Sequence, residues 1–342
     1  MALLIFSHVG DVHSSAVTAV LRSHGVRCET FRFDEFPIAS TITYDLSDGG
    51  PLLEGPSAGA RLGEFRVVWN RRGWSPRMPA ELHEEDRRLA APICERYCDE
   101  MRLSPPPGQI WVNGRAAQLA MRSKAAQLEL ARRVGFDVPE TIVTNDPAAA
   151  RAFVSRPGRY VVKGLSPMHW DEPDRVISLP TSEVTASDLD DDLSVRACPM
   201  VYQRLVDKAW EYRVVVFGTR TLWVKLHSQA EGRYKTDWRH GMATELRIEA
   251  VPPPPAMEAR ILAFCRHADL LHASFDLAVT DSGEIVFFEV NEQGQTLWIE
   301  EVNPEIRILA HLARFLFDPD GERRPPWADS AIRLSDHMSA AA

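Results

Sequence analysis

The chain has 342 residues, 45% hydrophobic and 25% charged, a globular composition long enough for two or three small domains around a cleft. A formal net charge of −9 excludes a nucleic-acid binder that works by neutralising phosphates, and no apolar run reaches the roughly 18 residues of a membrane span. Five scattered cysteines, Cys28, Cys94, Cys98, Cys198 and Cys265, exclude a disulfide framework and set the cytoplasm as the expected compartment.

The opening MALLIFSHVGDVHSS has no basic start and only a short apolar run, so it reads as a buried first strand. A helical pattern through Val17, Val20 and Leu21 and a strand over Val26–Phe33 make a β–α–β start, which predicts a parallel sheet. A hairpin or loop at 45–60, a strand at Phe65–Asn70 and an amphipathic helix at 80–100 complete a first domain over 1–113. Residues 116–134 are helical, Thr141–Thr144 and Tyr160–Lys163 are strands, and Asp146 caps the helix between them. A Pro/Asp/Ser-rich stretch at 164–195 reads as a mobile excursion of a central domain spanning 114–199. From 200 to 317 strands and turns alternate around a helix at 256–269. Strands at 273–279 and 284–290 and a final helix at 304–317 follow, and a polar tail from 318 to 342 is expected to fray. The fold class is therefore α/β, passing to α+β in the last third.

The most specific feature is SFDLAVTDSGEIVFFEVNEQG, residues 274–294. A two-residue turn at Ser282-Gly283 places Asp276 opposite Glu289, with Cβ atoms about 5 Å apart on one face. Asn291 shares that face by the strand period. Two like charges so placed call for a cation, and an Asp/Glu/Asn oxygen set suits Mg²⁺ when phosphates supply the rest. The bland alternative is a pair of solvated carboxylates, disfavoured by the phenylalanines and valines around them.

The run at 200–229 offers a slot for a purine over Met200–Val206, built on Gln203, Leu205 and Val206, with Asp207 placed to accept from ribose hydroxyls. Arg213 and Lys225 flank the Gly218-Thr219 turn. They face each other if that loop has three residues and are offset if it has two. Only five of the 39 basic residues are lysine, so Lys124 on a helix and Lys163 before a glycine stand out as point-charge contacts for phosphate. Phosphate-loop, dinucleotide, serine-elbow and H-E-x-x-H motifs are missing from the sequence.

SKAAQLELARRVGFDVPETIVTN, YVVKG, VYQRLV and FDLAV…FFEVN, in that order across about 115–310, resemble the ATP-grasp superfamily. WNRRG (69–73), SQAEGRYKTDWRHG (228–241) and EVNEQGQTLWIEE (289–301) are similar to its graspetide (microviridin-type) peptide macrocyclases. The resemblance implies an N-terminal pre-ATP-grasp domain, a central domain and a C-terminal antiparallel-sheet domain enclosing ATP and Mg²⁺. It implies a ribosomal precursor peptide, leader plus core, as partner, with no nucleic acid or membrane, and a homodimer. The activity implied is phosphorylation of Asp/Glu side chains followed by ester or amide closure onto Ser/Thr or Lys. Asp237 and Arg239 would border the acyl phosphate, Arg213 the substrate carboxylate, and Gln295 and Trp298 the substrate side. Arg204 departs from the family pattern, standing where many relatives carry an acid. The Asp-rich part of 164–195, with Asp188, Asp190, Asp191 and Asp192, is a candidate receiver of a basic leader residue. Two alternatives are a ligase adding free amino acids to a protein or peptide, like the glutamate ligases of this superfamily, and a non-catalytic nucleotide-binding module.

Overall fold

The structure, a computed structural model, describes residues 2–337 apart from 46–49, 74, 166–168, 173–174, 179–180, 230–245, 324, 326 and 328–331. The first region runs β1 (Ala2–Ser7), α1 (Val12–Ser23), β2 (Arg27–Arg32), β3 (Thr41–Thr43), β4 (Leu52–Gly55), β5 (Ala58–Arg61), β6 (Val67–Asn70), α2 (Glu84–Leu103) and β7 (Ile110–Val112). The continuous apolar runs of β1 and β6 suit strands covered on both faces, and they pair in a fully parallel sheet of order β2-β1-β6-β7. Strands β3–β5 form a small antiparallel sheet, the hairpin expected at 45–60.

The central region begins with two helices, α3 (Arg115–Met121) and α4 (Lys124–Arg133), where one was expected. Ser123 explains the break: its hydroxyl caps α4 by accepting the Ala126 N–H. There follow β8 (Thr141–Thr144), α5 (Pro147–Val154), β9 (Tyr160–Lys163), β10 (His169–Glu172), β11 (Arg175–Ser178), β12 (Ser182–Val184), α6 (Asp192–Ala197) and β13 (Met200–Arg204). The sheet order is β12-β9-β13-β8, with α5 over one face. Much of the stretch expected to be a mobile excursion is thus fixed: β12 extends the sheet, and Val184, Leu189 and Val195 are buried. Strands β10 and β11 pair separately as a two-stranded antiparallel sheet.

The last region contains β14 (Trp210–Phe217), β15 (Arg220–Leu226), β16 (Ile248–Val251), α7 (Met257–Ala268), β17 (His272–Val279), β18 (Ile285–Asn291), α8 (Trp298–Val302) and α9 (Ile308–Phe317). Five antiparallel strands pair in the order β16-β15-β14-β17-β18. Helix α9 is apolar nearly all round, so it is buried between this sheet and the N-terminal one. One core therefore joins the first and last regions. The polar tail, expected to fray, sends Trp327, Ile332 and Leu334 into that core. Buried Glu300 holds the tail by accepting the Leu334 N–H (2.7 Å) and the Leu309 N–H (2.9 Å).

Candidate active site

Along one face of the five-stranded sheet the residue type changes. On β14, Val215 and Phe217 are core, whereas Glu211 and Arg213, on the same face by the strand period, are charged. Arg213 lies opposite Asp276, and Asp276 opposite Glu289. The like-charge problem posed by the two carboxylates is solved by protein cations. Arg213 donates from Nη1 to Asp276 Oδ1 (2.5 Å), and Lys124, the first residue of α4, donates to Glu289 Oε2 (2.5 Å). Helix α4 reaches this place because Gln127 exchanges two hydrogen bonds with the Val290 backbone on the edge strand β18.

The row continues with a pair that the sequence reading missed, Lys208 and Glu211, which are ion-paired and buried. Burial raises the Glu211 pKa and neighbouring Asp276 adds to the rise, while Lys208 opposes it. The signal was available, since Glu211 stands two residues before Arg213 and so shares its face.

Lys225 does not join the row. The β14–β15 loop has two residues, pairing Phe217 with Arg220, so Val224 rather than Lys225 lies opposite Arg213. Strand alternation puts Lys225 on the other face, where its ammonium sits 4.3 Å from the centre of the Trp210 ring. Of the two arrangements the sequence left open, the structure has the offset one, because the turn has two residues.

A second group lies on the central sheet. Gln203 donates to Thr141 Oγ1 (2.8 Å) and accepts from Lys163 Nζ (3.1 Å), which gathers strands β8, β9 and β13 on one face. Val143 on that face is 42% exposed, an apolar edge suited to a purine ring. The chain then crosses between the sheets through Leu205–Ala209, tied by Leu205 N–H to the Arg159 carbonyl (2.8 Å) and by Ala209 N–H to the Val279 carbonyl (2.7 Å). The Leu205 amide is therefore engaged, which leaves Val206 as the better backbone donor to a ring. Exposed Asp207 pairs with Arg159 at 3.3 Å.

The donor set suits Mg²⁺. Asp276, Glu289 and Asn291 offer hard oxygen ligands on adjacent positions of two paired strands, as that ion prefers. Asn291 Oδ1 accepts the Gln293 (3.0 Å) and Gly294 (3.2 Å) amides, so it also shapes the turn that follows β18. Among the described residues no three His, Cys, Asp or Glu side chains converge as a preformed site. That fits an ion that takes most of its ligands from phosphate and water.

No protein-family model matches the sequence, and no curated protein does either. Solved structures do match. An ATP-grasp ligase associated with ribosomal peptides from Chryseobacterium gregarium, in complex with ADP and a leader and core peptide, has a TM-score of 0.83 at 23% identity, covering 93% of this chain and 97% of that one. Macrocyclase MdnC from Microcystis aeruginosa MRC, bound with precursor peptide MdnA, has a TM-score of 0.79 at 25% identity, covering 93% and 100%. Macrocyclase MdnB from the same strain scores 0.76 at 25% identity, covering 93% and 99%. The chain belongs to the ATP-grasp superfamily.

In ATP-grasp terms, the carboxylate pair lies on the C-terminal sheet and the Lys163–Gln203 group on the central one, with Leu205–Ala209 as the connection. Asp237 and Arg239 fall outside the described residues. In the Asp-rich stretch, Asp188 and Asp191 are consumed locally, accepting from Thr185 and from the Leu193 N–H and Ser194 hydroxyl, and Asp192 pairs with Arg151. No helix among the described residues is long and apolar enough to cross a membrane. All five cysteines are free, and burial pushes the Cys98 and Cys265 thiols up to about 12, the range of inert core residues.

Proposed function

We propose that this ATP-grasp ligase activates Asp or Glu side chains of a ribosomal precursor peptide and closes ω-ester or ω-amide rings onto Ser/Thr or Lys. The observation that carries the reading is the Asp276–Glu289 pair, each carboxylate already matched to a cation, Lys124 placed for phosphate and Arg213 for the substrate carboxylate. Bound Mg·ATP supplies the phosphoryl group that converts a carboxylate into an acyl phosphate. Asp276, Glu289 and Asn291 hold the metal, and Lys124 and Lys163 offset phosphate charge. Gln203, Leu205, Val206 and Asp207 frame the nucleoside. Arg213 steers the substrate carboxylate, with Asp237 and Arg239 proposed beside the group transferred. Transfer of this kind depends on positioning and charge neutralisation more than on covalent help, which is what this inventory provides. The β10–β11 hairpin is the element suited to exclude water. The neighbours' printed descriptions, an ADP complex with leader and core peptide and a macrocyclase bound to its precursor, support the same reading.

The test is mass spectrometry of a candidate precursor peptide incubated with the chain, ATP and Mg²⁺. Ring closure removes one water per bond and releases one ADP. A gain of an amino-acid mass would instead identify a ligase of free amino acids. No ADP release with any acidic peptide would leave only a binding module.

We also propose a homodimer in the cytoplasm, built on the outer face of α2. Leu89 and Ile93, 67% and 59% exposed, lie one turn apart there. Antiparallel packing of two copies about residue 91 sets Leu89 against Ile93 and Asp86 against Arg96. Sedimentation should give a dimer for the wild type and a monomer for Leu89→Asp/Ile93→Asp. A monomeric wild type removes the proposal.

A further inference from the structure

The backbone between β18 and α8 is held mainly by the N-terminal domain. Asn113, just past β7, donates to the Glu292 carbonyl (2.6 Å), and Arg71, just past β6, donates from Nη1 to the Gln293 carbonyl (2.9 Å). His13 on α1 accepts two successive amides at Nε2, Thr296 (2.9 Å) and Leu297 (3.1 Å). From the other side Arg213 Nη2 donates to the Gln295 carbonyl (3.2 Å). Between Asn291, whose Oδ1 shapes the turn, and Leu297, which is buried in the shared core, the stretch EQGQT has no apolar residue, so polar side chains from elsewhere complete its path.

We propose that His13 and Arg71 are positioning residues: the N-terminal domain uses them to set the 292–297 loop, and through Gln295 the Arg213 guanidinium that faces Asp276. Arg71 is 1% exposed, and a cation so desolvated persists only where partners surround it. Its Nε lies 3.4 Å from Asp11 Oδ2, and its guanidinium sits 5.7 Å from the Trp69 ring centre. Gly294 adopts φ +59, and a Cβ there would lie 2.3 Å from His272 Nε2, so the path tolerates no side chain at that point. Arg213 divides its donors between a metal carboxylate and this loop, so a displaced loop displaces the group that receives substrate.

The contact also dictates a protonation state. Nε2 can accept two N–H groups only if the proton sits on Nδ1, which lies 3.9 Å from Asp11 Oδ1. Burial, then Arg71, His272 and Arg72, hold the His13 pKa well below the ordinary imidazole value, with Asp11 the opposing charge nearby. Protonation of Nε2 would turn both amides away. Sequence reading missed His13 and Arg71 because their partners lie more than two hundred residues away, although WNRRG was singled out for its resemblance.

The consequence for catalysis rests on the ligase reading, but the order of the loop does not. Hydrogen exchange of the full chain, read by mass spectrometry over 291–299, tests it without turnover. His13→Leu should speed exchange of the Thr296 and Leu297 amides roughly tenfold or more. His13→Gln, whose amide oxygen can accept the same N–H groups, should restore most of that protection, and β14 and β17 should exchange as in the wild type. If His13→Leu does not fold, acid titration of the wild type gives a second readout, taken as exchange over 296–297 relative to β14 and β17 at each pH, since weakening of the whole fold speeds both and protonation of Nε2 releases only the two loop amides. Unchanged exchange over 296–297, or acceleration spread evenly through β1 and β6, overturns the proposal. Mg·ADP binding, measured by calorimetry on the same samples, should stay within about twofold in His13→Leu. Its absence in the wild type would instead sink the ligase reading.

Discussion

Asp276→Asn is expected to lower kcat for ATP-dependent closure of a precursor peptide by on the order of a thousandfold, as loss of a charged transition-state contact does. The substitution keeps the size of the side chain and an oxygen that can accept from Arg213, so the fold should survive. What it removes is one of two negative charges on the metal side of the cleft, and an amide oxygen neutralises a divalent ion poorly. Arg213→Met gives the complementary result. Asp276 and Glu289 would then face each other with one cation fewer, and two unit charges about 5 Å apart repel by roughly 3 kcal/mol at an effective dielectric near 20. The free protein should lose stability in urea, and Mg²⁺ should recover more of it than in the wild type, because the ion would replace the missing guanidinium. Calorimetry with and without Mg²⁺ separates these effects. Full activity in Asp276→Asn, or identical Mg²⁺ responses of Arg213→Met and wild type, would show that the carboxylates do not hold the metal.

The carboxylate pair was legible in the sequence, although the route to it was inexact in a way that cancelled. The expected two-residue turn is in fact a three-residue loop, Asp281–Gly283, closed by Thr280 and Glu284 with Gly283 at φ +87. That shifts the near end of the hairpin by one, pairing Leu277 with Phe287, and a bulge at Phe288 shifts it back so that Asp276 meets Glu289. The alternation of core and charge is stronger than the turn rule: Phe287 must stay in the core and Glu289 must face the cleft, and one extra residue reconciles them. Lys225 shows the opposite case, where nothing but turn length separated two readings and the shorter loop turned it to the far face. The lysine helix and lysine strand were found because lysine is scarce here. The His13, Arg71 and Asn113 contacts were not found, because each joins segments whose proximity exists only once α9 has drawn both sheets into one core.

Acidification should weaken the fold between pH 6.5 and about 4, and His272 is one reason whose size can be stated. Its ring is 1% exposed, donates from Nδ1 to the Val216 carbonyl (2.8 Å) and stacks on Phe217. Burial above all, with Arg71 adding to it, lowers its pKa to about 4 against the hydrogen bonds that favour the charged form. The sign follows from linkage. Below pH 6.5 the unfolded chain takes up a proton that the native ring refuses, so stability present above that value is lost as pH falls toward 4. At 1.36 kcal/mol per pH unit the loss is about 3 kcal/mol, and His13, lowered in the same direction, adds to it. His272→Phe keeps the stack with Phe217 but cannot titrate. It should cost about 1 kcal/mol at neutral pH, the worth of the hydrogen bond to Val216. The two stability curves, measured by urea unfolding, should therefore cross, with the variant the more stable chain at the acid end. Carboxylate titrations are common to both proteins and cancel in the difference. Curves that stay parallel down to pH 4 would mean that the ring takes its proton without cost in the native state, and the packing of Phe217 and Gly294 around it would need another explanation.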